Sequence, residues 1–218
     1  MILMTTPVAH PTIESAVAGY YSRALATHGP NHRGVDWSSR DSQELRFATL
    51  LDGVDWSGAP SVLDFGCGCG ALAAYLDRLG VRCDYTGYDI APEMVRTARR
   101  VVAERADRRF TSDLAALTPA ELVVASGIFN VKLDIPREAW QRYVDETIGT
   151  LGSLARRRLA FNMLPPASSP QLERADLHYA DRDAVVALCA TLGAGDVAVR
   201  EHYGLWEFTV VATWDAGR

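Results

Sequence analysis

Lysine is almost absent from this chain: 21 of the 22 basic residues are arginine, and Lys132 stands alone. Basic residues do not outnumber the 27 acidic ones, so a formal charge of −5 gives no electrostatic case for holding a polyanion, and no nucleic-acid partner is expected. The arginine bias points instead to a GC-rich, bacterial coding sequence. Cysteine is scarce. Four residues, Cys67, Cys69, Cys83 and Cys189, do not make a secreted disulfide framework in 218 residues. No second close pair or nearby histidine completes a zinc set, so no metal is expected. Long apolar runs are missing too. None reaches the roughly 18 residues of a membrane helix, and "MILMTTPVAHP" lacks the basic start and apolar core of a signal peptide. A cytoplasmic location with no membrane partner is the expectation.

What the chain does have is a hydrophobic content of 48%, enough for one good-sized core. Ile13, Ala16, Val17, Tyr20, Tyr21, Ala24 and Leu25 recur at helical spacing over 12–27, with Thr12 as N-cap and Gly29 as stop. A polar loop at 28–39 leads to a second helix ending near Gly53. From residue 61 the pattern turns regular. Strand 61–65, helix 70–79, strand 82–88, helix 92–105, strands 109–113 and 121–126, helix 136–152 and strand 158–164 follow one another. Strands separated by helical segments require crossover connections, which predicts an α/β fold with a mainly parallel sheet covered on both faces. The helix 136–152 reads as plain core packing. A Pro/Ser-rich loop at 165–180 is long for a compact domain and suits a lid or binding segment. A further helix and a terminal antiparallel hairpin, closed by a short turn at Tyr203 and Gly204, complete the chain.

The most informative stretch is "SVLDFGCGCGALAAYL", residues 61–76. An apolar strand running into glycines and then a helix is how an open parallel sheet builds a ligand site at the carboxyl ends of its strands. Gly66, Gly68 and Ala71 fit the loose dinucleotide fingerprint, which taken alone says little. Asp64 decides the matter, because a carboxylate before the first glycine opposes a diphosphate and suits a cationic ligand. Cys67 and Cys69 are explained by small size, since a C-x-C pair leaves at least two metal ligands unsupplied.

"LDFGCGCG" is similar to the first motif, D-x-G-x-G-x-G, of class I S-adenosylmethionine-dependent methyltransferases, and the order of elements extends the resemblance over roughly residues 60–215. It implies a Rossmann-like three-layer sandwich: a seven-stranded, mostly parallel sheet with the C-terminal hairpin antiparallel. The chain would then be one methyltransferase domain, 1–218, with an N-terminal helical cap at 1–58 and the core at 59–218. By the same resemblance S-adenosylmethionine is the cofactor and S-adenosylhomocysteine the product. Asp64, Gly66, Cys67, Gly68 and Gly70 would form the cradle. Asp89 in "YTGYDIAPEMV" would accept hydrogen bonds from both ribose hydroxyls, with Ile90 on the adenine. Ser112, Asp113 and Leu114 in "FTSDL" would reach the adenine ring. In "VVASGIFN", Ser126 and Gly127 would lie beneath the methionine moiety, and Phe129 and Asn130 would turn to the reaction centre.

The segment "HGPNHRGVDWSSRDSQELRF" resembles the opening of a bacterial branch of small class I methyltransferases of unassigned substrate. It implies that Trp37, Gln43 and Arg46 cover the cofactor, Arg46 as a bidentate partner of the methionine carboxylate. The competing reading has Trp37 packing helices on the sheet and Arg46 in solvent. The acceptor side would draw on Tyr20, Tyr21, Asn162, His178 and Tyr179. His28, His32, His178 and His202 are candidate bases, with His178 and His28 first. Enzymes that act on flipped bases resemble an N/D-P-P-Y pattern after the fourth strand, and this chain has "SGIFN". A small organic acceptor in a biosynthetic or tailoring role is therefore expected. The alternatives are methyl transfer to RNA or protein, an NAD-dependent oxidoreductase on the same glycine loop, and a non-catalytic S-adenosylmethionine-binding protein.

Overall fold

The computed structural model describes residues 11–215. The opening Met1–His10, most of the stretch read above as lacking a signal peptide, lies outside them. Helices α1 (Pro11–His28) and α2 (Arg40–Leu51) precede strand β1 (Ser61–Phe65). There follow α3 (Ala71–Leu79), β2 (Asp84–Tyr88), α4 (Pro92–Val101), β3 (Arg108–Thr111) and β4 (Ala120–Ala125). The chain continues through α5 (Arg137–Leu154), β5 (Ala155–Met163), α6 (Arg182–Thr191), β6 (Asp196–Arg200) and β7 (Phe208–Thr213). The sheet has seven strands in the order β3-β2-β1-β4-β5-β7-β6. Strands β1 to β5 are parallel to one another, and β7 runs antiparallel between β5 and β6. This is the doubly wound, Rossmann-like sandwich, and the order reverses between β1 and β4, where such sheets open a crevice.

Side-chain alternation along the strands makes two cores. Leu63, Val123, Leu159 and Phe161 pack with Trp140, Val144, Ile148 and Leu151 of α5 on one face. Val62, Tyr85, Leu122 and Val124 pack with Phe47 and Leu50 of α2 and Leu72 and Leu76 of α3 on the other. Helix α2 begins in a capping box, Ser39 Oγ accepting from Ser42 N at 3.0 Å and Ser42 Oγ from Ser39 N at 3.3 Å. Among the described residues no helix is long and apolar enough to cross a membrane.

Several boundaries differ from the sequence expectation, among them β5, which begins at Ala155 and not at 158, and β3, which ends at Thr111 and not at 113. Thr12 lies inside α1 rather than capping it. Strand β2 starts two residues later than expected. Helix α4 stops at Val101, not at 105, because Ala103 turns left-handed at φ 65° and Glu104 reaches back to accept from Phe110 N at 3.1 Å. The hairpin connection is no short turn but residues 201–207, with His202 at φ 60°.

The connections at the carboxyl ends of the strands carry the site. The loop after α1 contains a 3₁₀ turn, His32–Val35, capped by Asn31, whose side chain accepts from Arg33 N at 2.9 Å. Tyr20 Oη donates to Asp36 at 2.8 Å and Ser22 Oγ to Glu93 at 3.1 Å, tying α1 to that loop and to α4. The long 165–180 segment is pinned over the β4 loop, with His178 N donating to Asn130 O at 2.8 Å and Lys132 N to Asp176 O at 2.9 Å.

Candidate cofactor and acceptor site

Strand β1 delivers its glycines directly beneath the end of β2. Gly66 N and Cys67 N both donate to Tyr88 O, at 2.7 and 2.8 Å, which bends the chain sharply away from the strand. Gly66 takes φ 86°, and a Cβ there would sit 2.3 Å from Ile128 Cγ2, so only glycine fits against the β4 loop. Asp89 closes the loop from the far side: Oδ2 accepts from Gly68 N at 2.8 Å and Oδ1 from Ala91 N at 2.9 Å. Above these strand ends lies a cavity of about 630 Å³, within the range of small-molecule sites. Asp64, the segment 66–70, Asp89, Ile90, Leu114, Ser126, Gly127 and Asn130 form its floor and sides. Tyr21 of α1, His32, Trp37 and Gln43 also face it.

Two carboxylates are buried at its base with no arginine or lysine paired to either among the described residues. Burial raises Asp64 to about 7, against the hydrogen bond it accepts from Tyr85 Oη at 2.6 Å, and the charge of Asp89 adds to the rise. Burial likewise raises Asp89 to about 6, against the N–H groups of Ala91 and Gly68. Both groups lie above the ordinary carboxylate value, so the folded chain holds protons that the unfolded chain has released. Stability of the ligand-free protein therefore falls as pH rises from about 4 towards 7. Binding of a cation runs the other way. Affinity for S-adenosylmethionine is expected to rise between about pH 5.5 and 7.5, by up to about ten-fold per unit for each proton released. Calorimetric titration across that range checks it, and a flat profile would place the cationic groups away from both acids.

The β4 loop is anchored group by group. Gly127 N donates to Asn162 Oδ1 at 2.9 Å, Trp140 Nε1 donates to Phe129 O at 3.0 Å, and Asn130 O accepts from His178 N. This leaves Ser126 Oγ and Asn130 Oδ1 buried without a protein partner, both on residues of the cavity wall. Such groups are costly unless a ligand or water satisfies them. The indole of Trp37 meets the same loop by its edge: a Cβ on Gly127, which has φ 74°, would lie 2.3 Å from Cη2 and 2.4 Å from Cζ2. The side chain of Gln43 is buried at the wall and makes no hydrogen bond within the described residues.

Several expected site residues are elsewhere. Phe129 is fully buried, its ring against Phe161 at 5.6 Å, so it belongs to the core rather than the reaction centre. Asn162 is buried beneath the loop it anchors and does not reach the cavity. Ser112 and Asp113 are exposed outside the wall, Asp113 capping a 3₁₀ turn through Ala115 N at 2.9 Å, and Leu114 alone of the three lines the cavity. Tyr20 is held by Asp36 off the wall. Tyr179 is buried, accepts from Arg174 N at 2.9 Å and faces Trp206. His28 is exposed at the end of α1. His178 is buried away from the wall, and burial with the charges of Arg137 and Lys132 lowers it to about 4, which makes it a poor base. Of the four candidate histidines only His32 faces the cavity.

Arg46 is not in solvent: it lines the cavity wall, with its guanidinium already engaged on two edges and one face. Its Nε donates to Glu207 Oε2 at 2.8 Å, Nη1 donates to Ser42 O at 3.0 Å, and the guanidinium stacks 3.9 Å above the Trp37 ring. Sequence reasoning also missed Glu14, Tyr143, Glu146, Thr147 and Thr150 at the wall. The last four lie on one side of α5, and the polar residues beside its apolar stripe were the sign.

Cys67 and Cys69 sit in the cradle as small neutral groups. Burial pushes the Cys67 thiol well up and Cys69 to about 11, and the Cys69 sulfur rests 3.4 Å from that of Met94. Replacing both by alanine is expected to change the dissociation constant of S-adenosylhomocysteine by less than about two-fold, the loss being confined to packing. A ten-fold loss, or one that chelators reproduce in the unaltered protein, would restore the sulfur reading.

The comparisons agree with this geometry. A family model described as a methyltransferase domain matches residues 62–151. Rv1506c of Mycobacterium tuberculosis, named as a candidate methyltransferase, is 41% identical over 151 residues, 69% of this chain and 91% of its own. Among solved structures, magnesium protoporphyrin IX methyltransferase from Synechocystis PCC 6803 with bound S-adenosylhomocysteine aligns at TM-score 0.65 and 20% identity, over 93% of this chain and 99% of that one. Human N-acetylserotonin methyltransferase in complex with S-adenosylmethionine aligns at TM-score 0.66 and 16% identity, over 94% of this chain and 60% of that one. The chain belongs to the class I S-adenosylmethionine-dependent methyltransferases. Its cofactor is S-adenosylmethionine, which supplies a methyl group on a cationic sulfur. Two buried acids, a glycine cradle and unsatisfied polar groups at Ser126 and Asn130 fit that ligand.

Proposed function

We propose that this enzyme methylates a small organic acceptor, as one domain over 1–218 in the cytosol of a bacterial cell. The observation that carries the reading is the roof. The cavity is overhung by Tyr21, His32 and Trp37 from the N-terminal elements and by Leu164, Arg174 and Leu177 around the long loop. Such a mixed apolar and polar lining suits a compact molecule better than a polymer strand. In this reading Asp64, Gly66, Cys67, Gly68, Gly70, Asp89, Ile90, Leu114, Ser126 and Gly127 hold the cofactor. Asp89 takes the ribose with the two lone-pair positions its backbone bonds leave over. Ile90 and Leu114 pack on the adenine. Tyr21, His32 and Asn130 face the acceptor. The protein's task is alignment of the nucleophile with the methyl carbon and exclusion of water. His32 is the base best placed for a hydroxyl nucleophile, while an amine or thiolate needs little help.

The test is to incubate the protein with methyl-labelled S-adenosylmethionine and an extract of its native cell, then separate products by size. Label in a low-mass compound is the expected result. Label retained on RNA or protein would overturn the acceptor assignment, and label that stays with the cofactor whatever is added would favour a binding protein.

A further inference from the structure

Glu207 stands immediately before β7, 161 residues from Arg46, and lines no part of the cavity. Its carboxylate side chain is 0% exposed and that of Arg46 11%, the one ion pair among the described residues in which both partners are shielded. A buried pair of this kind gains little stability over apolar packing, so stability alone does not account for it. The neighbours supply one. Tyr203 Oη donates to Glu207 Oε1 at 2.8 Å and lies 2.9 Å from Thr209 Oγ1. Thr209 pairs with Asn162 across β5 and β7, and Asn162 holds Gly127 N. Gly127 meets the edge of the Trp37 indole, and Arg46 lies over that ring. The contacts form a closed circuit from the terminal hairpin to the cavity and back.

We propose that Glu207 and Arg46 are positioning residues: Arg46 lines the cavity wall beside Trp37, the hairpin seats the indole against Gly127, and Arg46 acts on cofactor binding through that indole rather than by touching the ligand. This rests on the assignment of the Gly127 end of the cavity to the methionine moiety. A planar cation fixed by Glu207 can hold the ring by its face, and so its edge against Gly127, where an ammonium cannot.

The experiment measures dissociation constants for S-adenosylhomocysteine and for 5′-methylthioadenosine, which lacks the amino-acid end, with thermal melts to confirm folding. Arg46→Ala and Glu207→Gln are each expected to weaken S-adenosylhomocysteine by about ten-fold, between the sizes of an exposed and a desolvated cation–π contact. Adding Arg46→Ala to Trp37→Ala is expected to cost nothing further. Glu207→Gln keeps the arginine charge and frees its Nε edge, so a direct carboxylate clamp would bind as well or better in that variant. That result, or a full Arg46→Ala loss persisting without Trp37, would overturn the proposal. Arg46→Lys covers the case of a Glu207 variant that does not fold: it should behave as Arg46→Ala does, and wild-type affinity would contradict the stacking role. Trp37 emission, isolated by subtracting a Trp37→Phe spectrum, should shift to the red in Arg46→Ala, and an unmoved spectrum would count against it. An equal loss for 5′-methylthioadenosine would overturn the methionine assignment while leaving the Arg46–Trp37 coupling intact.

Discussion

Asp89→Ala is expected to weaken S-adenosylhomocysteine binding by about a hundred-fold, about 2.7 kcal/mol, because the side chain holds the loop and faces the ligand together. A carboxylate offers about four acceptor positions. Gly68 N and Ala91 N occupy one on each oxygen, and the other two remain for the ribose hydroxyls. Bonds to a charged acceptor contribute roughly 1.5–3 kcal/mol each, so losing two ligand bonds alone would exceed ten-fold. Release of the Gly68 amide adds disorder in the cradle. Asp89→Asn separates the parts: it keeps the shape, but its amide nitrogen faces a backbone donor, so it should lose most of the affinity with a smaller drop in melting temperature. Calorimetry and thermal melts on both variants check this. A change below about three-fold in the alanine variant would mean the ribose lies elsewhere.

Trp140→Ala is expected to destabilise the protein by about 3–5 kcal/mol, lowering the melting temperature by roughly 10 °C. The indole is fully buried against the sheet, and its Nε1 supplies the one donor to Phe129 O among the described residues. Trp140→Phe retains most of the packing and removes only that donor. It should melt within a few degrees of the wild type yet bind S-adenosylhomocysteine several-fold more weakly, because the β4 loop carrying Gly127 and Asn130 is loosened. Full affinity in Trp140→Phe would show that the loop does not depend on the indole. Helix α5 thus does more than fill the core, contrary to its reading as plain packing.

Much of the fold was legible because periodicity reports burial. Strand β1 matched the expected 61–65, and helices α1, α3 and α5 fell within two residues of their expected bounds, since each has an apolar face whose spacing survives in the chain. The cradle was legible for a related reason: Asp64, Gly66 and Asp89 sit where two strands end, and strand ends are fixed by the same pattern. Orientation past a strand end was not legible. Phe129, Ser112 and His178 lie in turns and loops, where no period assigns a side chain to cavity, core or solvent. Phe129 went inward because Trp140 draws its carbonyl and Phe161 its ring. The tie that holds Arg46 at the wall was not legible either, because its partner is separated from it by most of the chain. Nothing near "SQELRF" announces Glu207, and only the sheet order, with β7 beside β5, brings them together.

The most direct test is a crystal structure of the complex with S-adenosylhomocysteine. The expected ligand is extended over the strand ends, with both ribose hydroxyls within about 3 Å of Asp89. Adenine should lie between Ile90 and Leu114, and the amino-acid end near Asp64 and Ser126, beneath Trp37. A ribose away from Asp89, or a ligand reversed in the cavity, would contradict it.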